Sequence, residues 1–234
     1  MSYSDLQQKP IAMFDMDGTL LDLAFDDFIW NECLPERHAQ VHQCTLEQSK
    51  QTLFQFYQQH KHTLSWYSSA YWTAKVGVDV LQLQYEHREK IRARSGCFQL
   101  LKQLKAQGYR CWLLTNADRA GLQLKLENVE LSPYFELMIS SEELGHAKEE
   151  VAFWQKLQEI HPFDPAQAIF IDDTVAVLQG AEDFGITQLF SILQPSSAKP
   201  ARTPTELPYP ALDHLNDLLD YLENNIQVAD AKTA

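Results

Sequence analysis

Four short apolar runs, each ending on a polar or acidic residue, set the rhythm of the chain. Ile11-Ala12-Met13-Phe14 precedes Asp15, Cys111-Trp112-Leu113-Leu114 precedes Thr115, Glu136-Leu137-Met138-Ile139 precedes Ser140, and Ala168-Ile169-Phe170-Ile171 precedes Asp172. Runs this short, without period-two alternation, suit strands covered on both faces of a parallel sheet. Helical spacing fills the intervals: Phe98, Leu101 and Leu104, then Leu122, Leu126 and Val129, then Val151, Trp154 and Leu157, then Val175, Leu178 and Ala181. Gly108 is placed to stop the first of these helices and Asp118 to cap the second. The alternation from about residue 95 to 193 predicts an α/β fold, a doubly wound parallel sheet whose ligands lie beyond the carboxyl ends of its strands.

The first strand is followed by a long stretch without another strand-like run. That stretch carries helical patterns at Leu46, Leu53, Phe54 and Tyr57 and at Trp66, Ala70, Tyr71 and Ala74. It is too long for a simple crossover, and reads as a helical insertion at 23–94 dividing a core made of 1–22 and 95–234. Pro195, Pro200, Pro204, Pro208 and Pro210 predict an irregular stretch. Leu212, Leu215, Leu219 and Leu222 predict a C-terminal helix docked on the core, with a frayed tail from Gln227. Internal repeats, heptads, a G-x-G-x-x-G loop and a P-loop are all absent from the sequence.

Charge narrows the partners. With 234 residues and a formal charge of −13, the chain repels a phosphate backbone, so a nucleic acid polymer is excluded as a sequence-independent partner. A small anion needs local cations or a metal. Cys33, Cys44, Cys97 and Cys111 form no C-x-x-C pair, which argues against zinc and for free thiols in a reducing compartment. The start, Met1-Ser2-Tyr3-Ser4-Asp5, has no leader pattern, and no run approaches the roughly 18 apolar residues of a membrane span. The expectation is a cytoplasmic protein without a membrane partner; the sequence leaves the oligomeric state open.

The strand ends carry the chemistry. Asp15-Met16-Asp17-Gly18-Thr19 places two carboxylates two residues apart, with Gly18 free to turn the chain away. Thr115 and Asn116 offer a hydroxyl and an amide for phosphoryl oxygens, and Lys148 a cation for developing charge. Asp172 and Asp173, together with the first pair, make an oxygen-rich site suited to Mg²⁺. Taken singly, each motif has an ordinary structural explanation in turn chemistry, helix capping or solvated surface. Four in order, each at a predicted strand end, are specific.

In this order the motifs resemble the haloacid dehalogenase-like hydrolases, and the 23–94 insertion is similar to the helical cap of that superfamily's first cap class. Phe14 through Asp26, His62-Thr63-Leu64-Ser65-Trp66-Tyr67 and Leu113-Leu114-Thr115-Asn116-Ala117 further resemble the bacterial GMP/IMP nucleotidases within it. The resemblance implies a Rossmann-like core and a small phosphorylated metabolite as substrate. It implies Asp15 as nucleophile forming an aspartyl-phosphate, and Asp17 as general acid and then base. It implies Thr115, Asn116 and Lys148 as the phosphate cradle, and Mg²⁺ held by Asp15, the backbone carbonyl of Asp17 and an acidic residue of the fourth motif, Asp173 in preference to Asp172. The preferred substrate is a purine 5′-nucleotide, GMP or IMP.

The chain departs from the pattern in having Glu149 after Lys148, where family members commonly have proline. Lys125 and Lys156 fall inside predicted helices and are set aside as substitutes for Lys148. Asp22, Asp26 and Asp27, near the entry to the insertion, read as a solvated hinge, with contact to substrate or metal as the other use. Trp66, Tyr67, Tyr71 and Trp72 read as cap core, with purine stacking as the other use. His38, His42, His60, His62 and His87 show no metal-ligand spacing and read as surface or capping residues. Sugar-phosphate phosphatase or phosphomutase activity shares every core motif, and a non-catalytic binding protein on the same fold is the remaining alternative. Dehalogenation has no use for the acid at Asp17.

Overall fold

Six strands, β1 Ile11–Phe14, β2 Arg110–Thr115, β3 Leu137–Ser140, β4 Ala168–Ile171, β5 Gln188–Ile192 and β6 Ala211–Leu212, form one sheet in the order β3-β2-β1-β4-β5-β6. Every pairing is parallel. The computed structural model describes residues 9–223, so the start at Met1–Asp5 and the tail from Gln227 lie outside the described residues. The four apolar runs appear as β1 to β4 with shifts of at most one residue at either end. β5 and β6 were not among the expected strands. β6 closes the proline-rich stretch at the sheet edge, where Pro210 contributes only its carbonyl, accepting from Ser191 N at 2.7 Å. Leu212 therefore belongs to a strand, and the C-terminal helix begins later, at 217, burying Leu218, Leu219 and Leu222.

Between β1 and β2 the chain builds a helical insert. α1 Ala24–Phe28 runs through a π-helical turn, Ile29–Cys33, into α2 Leu34–Val41; α3 Leu46–His60, α4 Ser69–Val76 and α5 Val80–Glu86 follow. Thr45 and Gln48 form a capping box that starts α3, and Gly77 ends α4 with a φ of 69°. These helices enclose their own apolar cluster, which includes Leu34, Leu53, Trp72, Val76 and Leu83. Trp72 is its centre, meeting Trp30, Tyr57 and Trp66 edge to face at centroid distances of 5.9, 5.3 and 5.8 Å. His38 is a correction to the surface reading: it is buried, with Nδ1 3.0 Å from Ser49 Oγ. The two passes linking insert and core bond to each other, Asp22 N donating to Arg92 O at 2.9 Å and Arg94 N to Leu20 O at 2.8 Å.

The core helices are α6 Cys97–Ala106, α7 Arg119–Asn128, α8 Ser141–Leu144, α9 Val151–Ile160 and α10 Val175–Phe184. Period-two geometry splits each strand between two layers. Ala12, Phe14, Leu113 and Ile171 pack with Leu101 of α6 and Leu124 of α7, while Met13, Leu114 and Phe170 pack with Trp154 of α9 and Leu178 of α10. A helix layer on each face buries the central strands β1 and β4 along their whole length, which is why they read as unbroken apolar runs.

Gly180 sets how closely α10 approaches the loop before α9. Helix propensity alone favours alanine over glycine by about 1 kcal/mol. A Cβ at Gly180, however, would lie 2.5 Å from Glu149 O and 2.9 Å from Lys148 O, and backbone carbonyls cannot swing aside as a side chain does. Gly180→Ala is therefore expected to destabilise the protein by about 1–3 kcal/mol, read as a Tm several degrees lower. An unchanged or raised Tm would show that the loop yields freely.

Candidate active site

Because β2, β1 and β4 are adjacent and parallel, the residues after them converge at one end of the sheet. Asp15 N donates to Ile171 O at 2.9 Å, so the first motif leaves the sheet still tied to β4. The chain then turns back, with Leu20 N and Leu21 N both donating to Met16 O. Gly18 makes that turn with a φ of +91°, and a Cβ there would lie 2.7 Å from Asp173 Cγ. Only glycine satisfies both the backbone and the approach of the Asp173 carboxylate.

Lys148 is buried at the centre. Its Nζ donates to Asp15 Oδ1 at 2.6 Å, Asp172 Oδ2 at 2.7 Å and Leu114 O at 3.0 Å. Burial alone would push its ammonium down, but the two carboxylates outweigh that and hold it charged. Its position is set by the backbone: Lys148 N donates to Asn116 Oδ1 at 2.9 Å, and Trp154 Nε1 to Lys148 O at 2.8 Å. Glu149 therefore does not displace the lysine. Thr115 lies at the end of β2, buried, with Oγ1 accepting from Ala117 N.

The structure adds a second buried lysine that sequence reasoning set aside. Lys125, on α7, has Nζ 2.6 Å from Asp17 Oδ2 and 3.0 and 3.1 Å from the two oxygens of Asp26. Asp26 is accordingly no solvated hinge; it lines the cavity beside Asp17, and burial pushes its carboxyl up to about 6 despite Lys125. A signal for Lys125 was present: it stands three residues after Leu122 and four before Val129, on the buried stripe of α7, where a cation requires a partner. Asp22 and Asp27 serve the rim, Asp22 accepting from Ser197 N and Asp27 from Lys199 Nζ.

Asp15, Asp172 and Asp173 can each direct an oxygen into a group whose members lie within 4.8 Å of one another. Desolvation pushes Asp15 and Asp173 up to about 7, with Lys148 pulling Asp15 back and Asp15 raising Asp173 further. Buried carboxylates gathered this closely favour either protons or a cation. Asp15 Oδ2 is buried without a hydrogen-bond partner, whereas both oxygens of Asp172 are already engaged, by Lys148 Nζ and Thr174 N. This all-oxygen set fits a hard divalent cation such as Mg²⁺. The Asp17 side chain is not in the group, since its Oδ2 faces Lys125.

The insert roofs a cavity of about 430 Å³ above these groups, in the usual range for small-molecule sites. Its apolar wall includes the half-buried Trp30, Tyr57 and Trp66. Glu149 ties roof to floor: Oε1 accepts from Tyr67 Oη at 2.5 Å and lies 3.3 Å from His62 Nδ1, while Oε2 accepts from Asn116 Nδ2 at 2.9 Å. Ser69 makes a second tie, its N and Oγ donating to Asp118 Oδ2 while Asp118 Oδ1 caps α7 through Gly121 N. Arg202, from the proline-rich stretch, donates to Asp173 O at 2.5 Å. Neither Glu149 nor Arg202 was legible as a site residue, because neither residue type at its position matches a strand-end motif, and each gains its role only from the partners it meets on folding. Among the described residues no helix is long and apolar enough to cross a membrane.

The comparisons agree with this arrangement. The chain is 34% identical over 191 residues to the GMP/IMP nucleotidase YrfG of Escherichia coli, covering 82% of this chain and 86% of the relative. The crystal structure of a haloacid dehalogenase phosphatase from Thermococcus onnurineus superposes with a TM-score of 0.75 at 18% identity, covering 91% of this chain and 97% of the other. A magnesium-bound hydrolase of the same superfamily, YfnB from Bacillus subtilis, superposes with a TM-score of 0.62 at 18% identity over 92% and 98%. Residues 10–185 match the haloacid dehalogenase-like hydrolase family, a span that contains every motif described above, and the chain belongs to that family.

Proposed function

We propose that this chain is a Mg²⁺-dependent phosphomonoesterase that hydrolyses purine 5′-nucleotides, with GMP and IMP preferred. The observation that carries the reading is the state of the first two carboxylates. Asp15 and Asp17 each have one oxygen held by a buried lysine and the other, Oδ2 and Oδ1 respectively, buried without a partner beside the cavity. Unpartnered buried oxygens cost about 1–3 kcal/mol each, and a reacting ligand would relieve that penalty.

In this reading Asp15 attacks phosphorus as the ester P–O bond breaks, and Asp17 delivers a proton to the departing alkoxide. Water then attacks the aspartyl-phosphate, Asp17 takes its proton, and phosphate leaves with Asp15 restored. Lys148 holds Asp15 and offsets charge on the transferring group, with Thr115 and Asn116 completing the cradle. Mg²⁺, held by Asp15, Asp173 and the Asp17 carbonyl, would offset repulsion between the phosphate dianion and the carboxylates. Asp172, fully engaged by Lys148 and Thr174, keeps the lysine in place.

The purine preference has support in the roof and in the similarity to the nucleotidase. Trp30, Tyr57 and Trp66 supply aromatic surface for a base, and Gln84 and Asn31 supply amides able to pair with a ring carbonyl and its neighbouring N–H. Asn116 Nδ2 gives one N–H to Glu149 Oε2 and has a second available for a phosphoryl oxygen, so it can join the cradle while still orienting Glu149.

Phosphate release with Mg²⁺ over GMP, IMP, AMP, pyrimidine nucleotides and sugar phosphates tests the proposal. Preference for GMP and IMP, abolished in Asp15→Asn, is expected. Activity confined to sugar phosphates would discard the nucleotide, and silence on every ester would discard the enzyme in favour of a binding protein.

The metal makes a separate prediction. Asp15 and Asp173 bind protons more tightly when folded, near pH 7, than at their usual value of 3.8. Without metal their contribution to stability is therefore present below about pH 4 and lost as pH rises through 7. Mg²⁺ requires the same carboxylates ionised, so the Tm increase on adding Mg²⁺ should be larger at pH 8 than at pH 6. A pH-independent increase, or none at either pH, would count against this site.

A further inference from the structure

Lys125 lies outside the four motifs, yet it is 3% exposed and bonded to the second carboxylate of the first motif. Nζ meets Asp17 Oδ2 at 2.6 Å and Asp26 at 3.0 and 3.1 Å. A buried ammonium between two carboxylates has little rotational freedom, because each of its N–H groups has a place to point. The consequence falls on Asp17. With Oδ2 held by Lys125, the carboxyl plane is fixed and Oδ1, buried and without a partner, is left as the oxygen able to carry a transferable proton. Asp26 comes from α1, the first helix of the insert, so the holder of Asp17 is itself held by the insert.

We infer that Lys125 is a positioning residue for Asp17, clamping Oδ2 so that Oδ1 faces the leaving oxygen, with Asp26 anchoring the clamp to the roof. This rests on the proposed role of Asp17 as general acid. It differs from a merely structural ion pair in one respect. A poor leaving group such as a nucleoside 5′-alkoxide needs the proton, whereas p-nitrophenolate departs without it. Losing the aim of the acid therefore matters for one ester and hardly for the other.

The experiment compares kcat/KM, which reports the step up to phosphoryl transfer, for GMP and p-nitrophenyl phosphate in the full chain with Mg²⁺. If another alkyl phosphate of the panel is hydrolysed better, it takes the place of GMP. Lys125→Met is expected to lose about 100-fold on GMP, within the range general acid catalysis supplies, and under about fivefold on p-nitrophenyl phosphate. The loss should lie in kcat, with KM for GMP little changed. Asp17→Asn should show the same leaving-group dependence, and the double variant should be little worse than Asp17→Asn alone. If Lys125→Met does not fold, Lys125→Arg, which keeps the charge on a different geometry, is read by the same ratio and should lose at least tenfold more on GMP than on the activated ester. Equal losses on both esters, or a double variant whose losses multiply, would overturn the role of Lys125 and leave the phosphatase reading intact. No release from either ester by the unmodified protein would overturn that reading and this inference with it.

Discussion

Lys148 is the contact on which the site depends. Its ammonium joins Asp15 after β1, Leu114 of β2 and Asp172 after β4, so one buried charge ties together the ends of three adjacent strands. Removing one partner from such a group leaves an uncompensated buried charge, at about 3–5 kcal/mol. The surrounding backbone is arranged around it: Asn116 orients the loop through Lys148 N, Trp154 holds the Lys148 carbonyl, and Gly180 lets α10 close against the same loop. The sheet puts the strand ends side by side, and the lysine makes it tolerable for their carboxylates to stay there.

Neutralisation remains incomplete. Asp15, Asp17, Asp26, Asp172 and Asp173 gather around Lys125 and Lys148, and burial pushes every one of these carboxyls upward. A site with surplus buried negative charge is poorly suited to a phosphate dianion by itself and well suited to a cation that binds first. The oxygens left over are consistent with a cation beside Asp15 and Asp173, since Asp15 Oδ2 stays unpartnered while both oxygens of Asp172 are taken. The roof is held by polar ties, Tyr67 to Glu149 and Ser69 to Asp118, beside an apolar cluster of its own. Polar ties of this kind can exchange partners without dismantling a core.

Much of this was legible in the residues. The strands β1 to β4 were readable because burial on both faces leaves an unbroken apolar run, and the four motifs were readable because each sits where such a run stops. β5 was missed because Gln188-Leu189-Phe190-Ser191-Ile192 interrupts its apolar run with a serine, and β6 because two residues after a row of prolines carry no periodic signal. The aromatic stripe serves both of its readings, since Trp72 is buried in the insert core and Trp66 packs against it while both line the cavity.

What the sequence by itself determined is the local grammar: which runs form strands, where they stop, and that carboxylates, an amide and a lysine stand at the stops in an order that specifies the family. Tertiary structure decided which charge meets which. Lys125 and Asp26 are 99 residues apart, as the Lys125 bond to Asp26 records, and Lys148 reaches across 133 residues to Asp15. Burial turns a lysine on a helix stripe into a partner for Asp17, and turns Glu149 from a departure in a motif into a link between insert and core. Electrostatic pairing depends on distance and dielectric, and both are properties of the folded arrangement that adjacency in the chain does not carry.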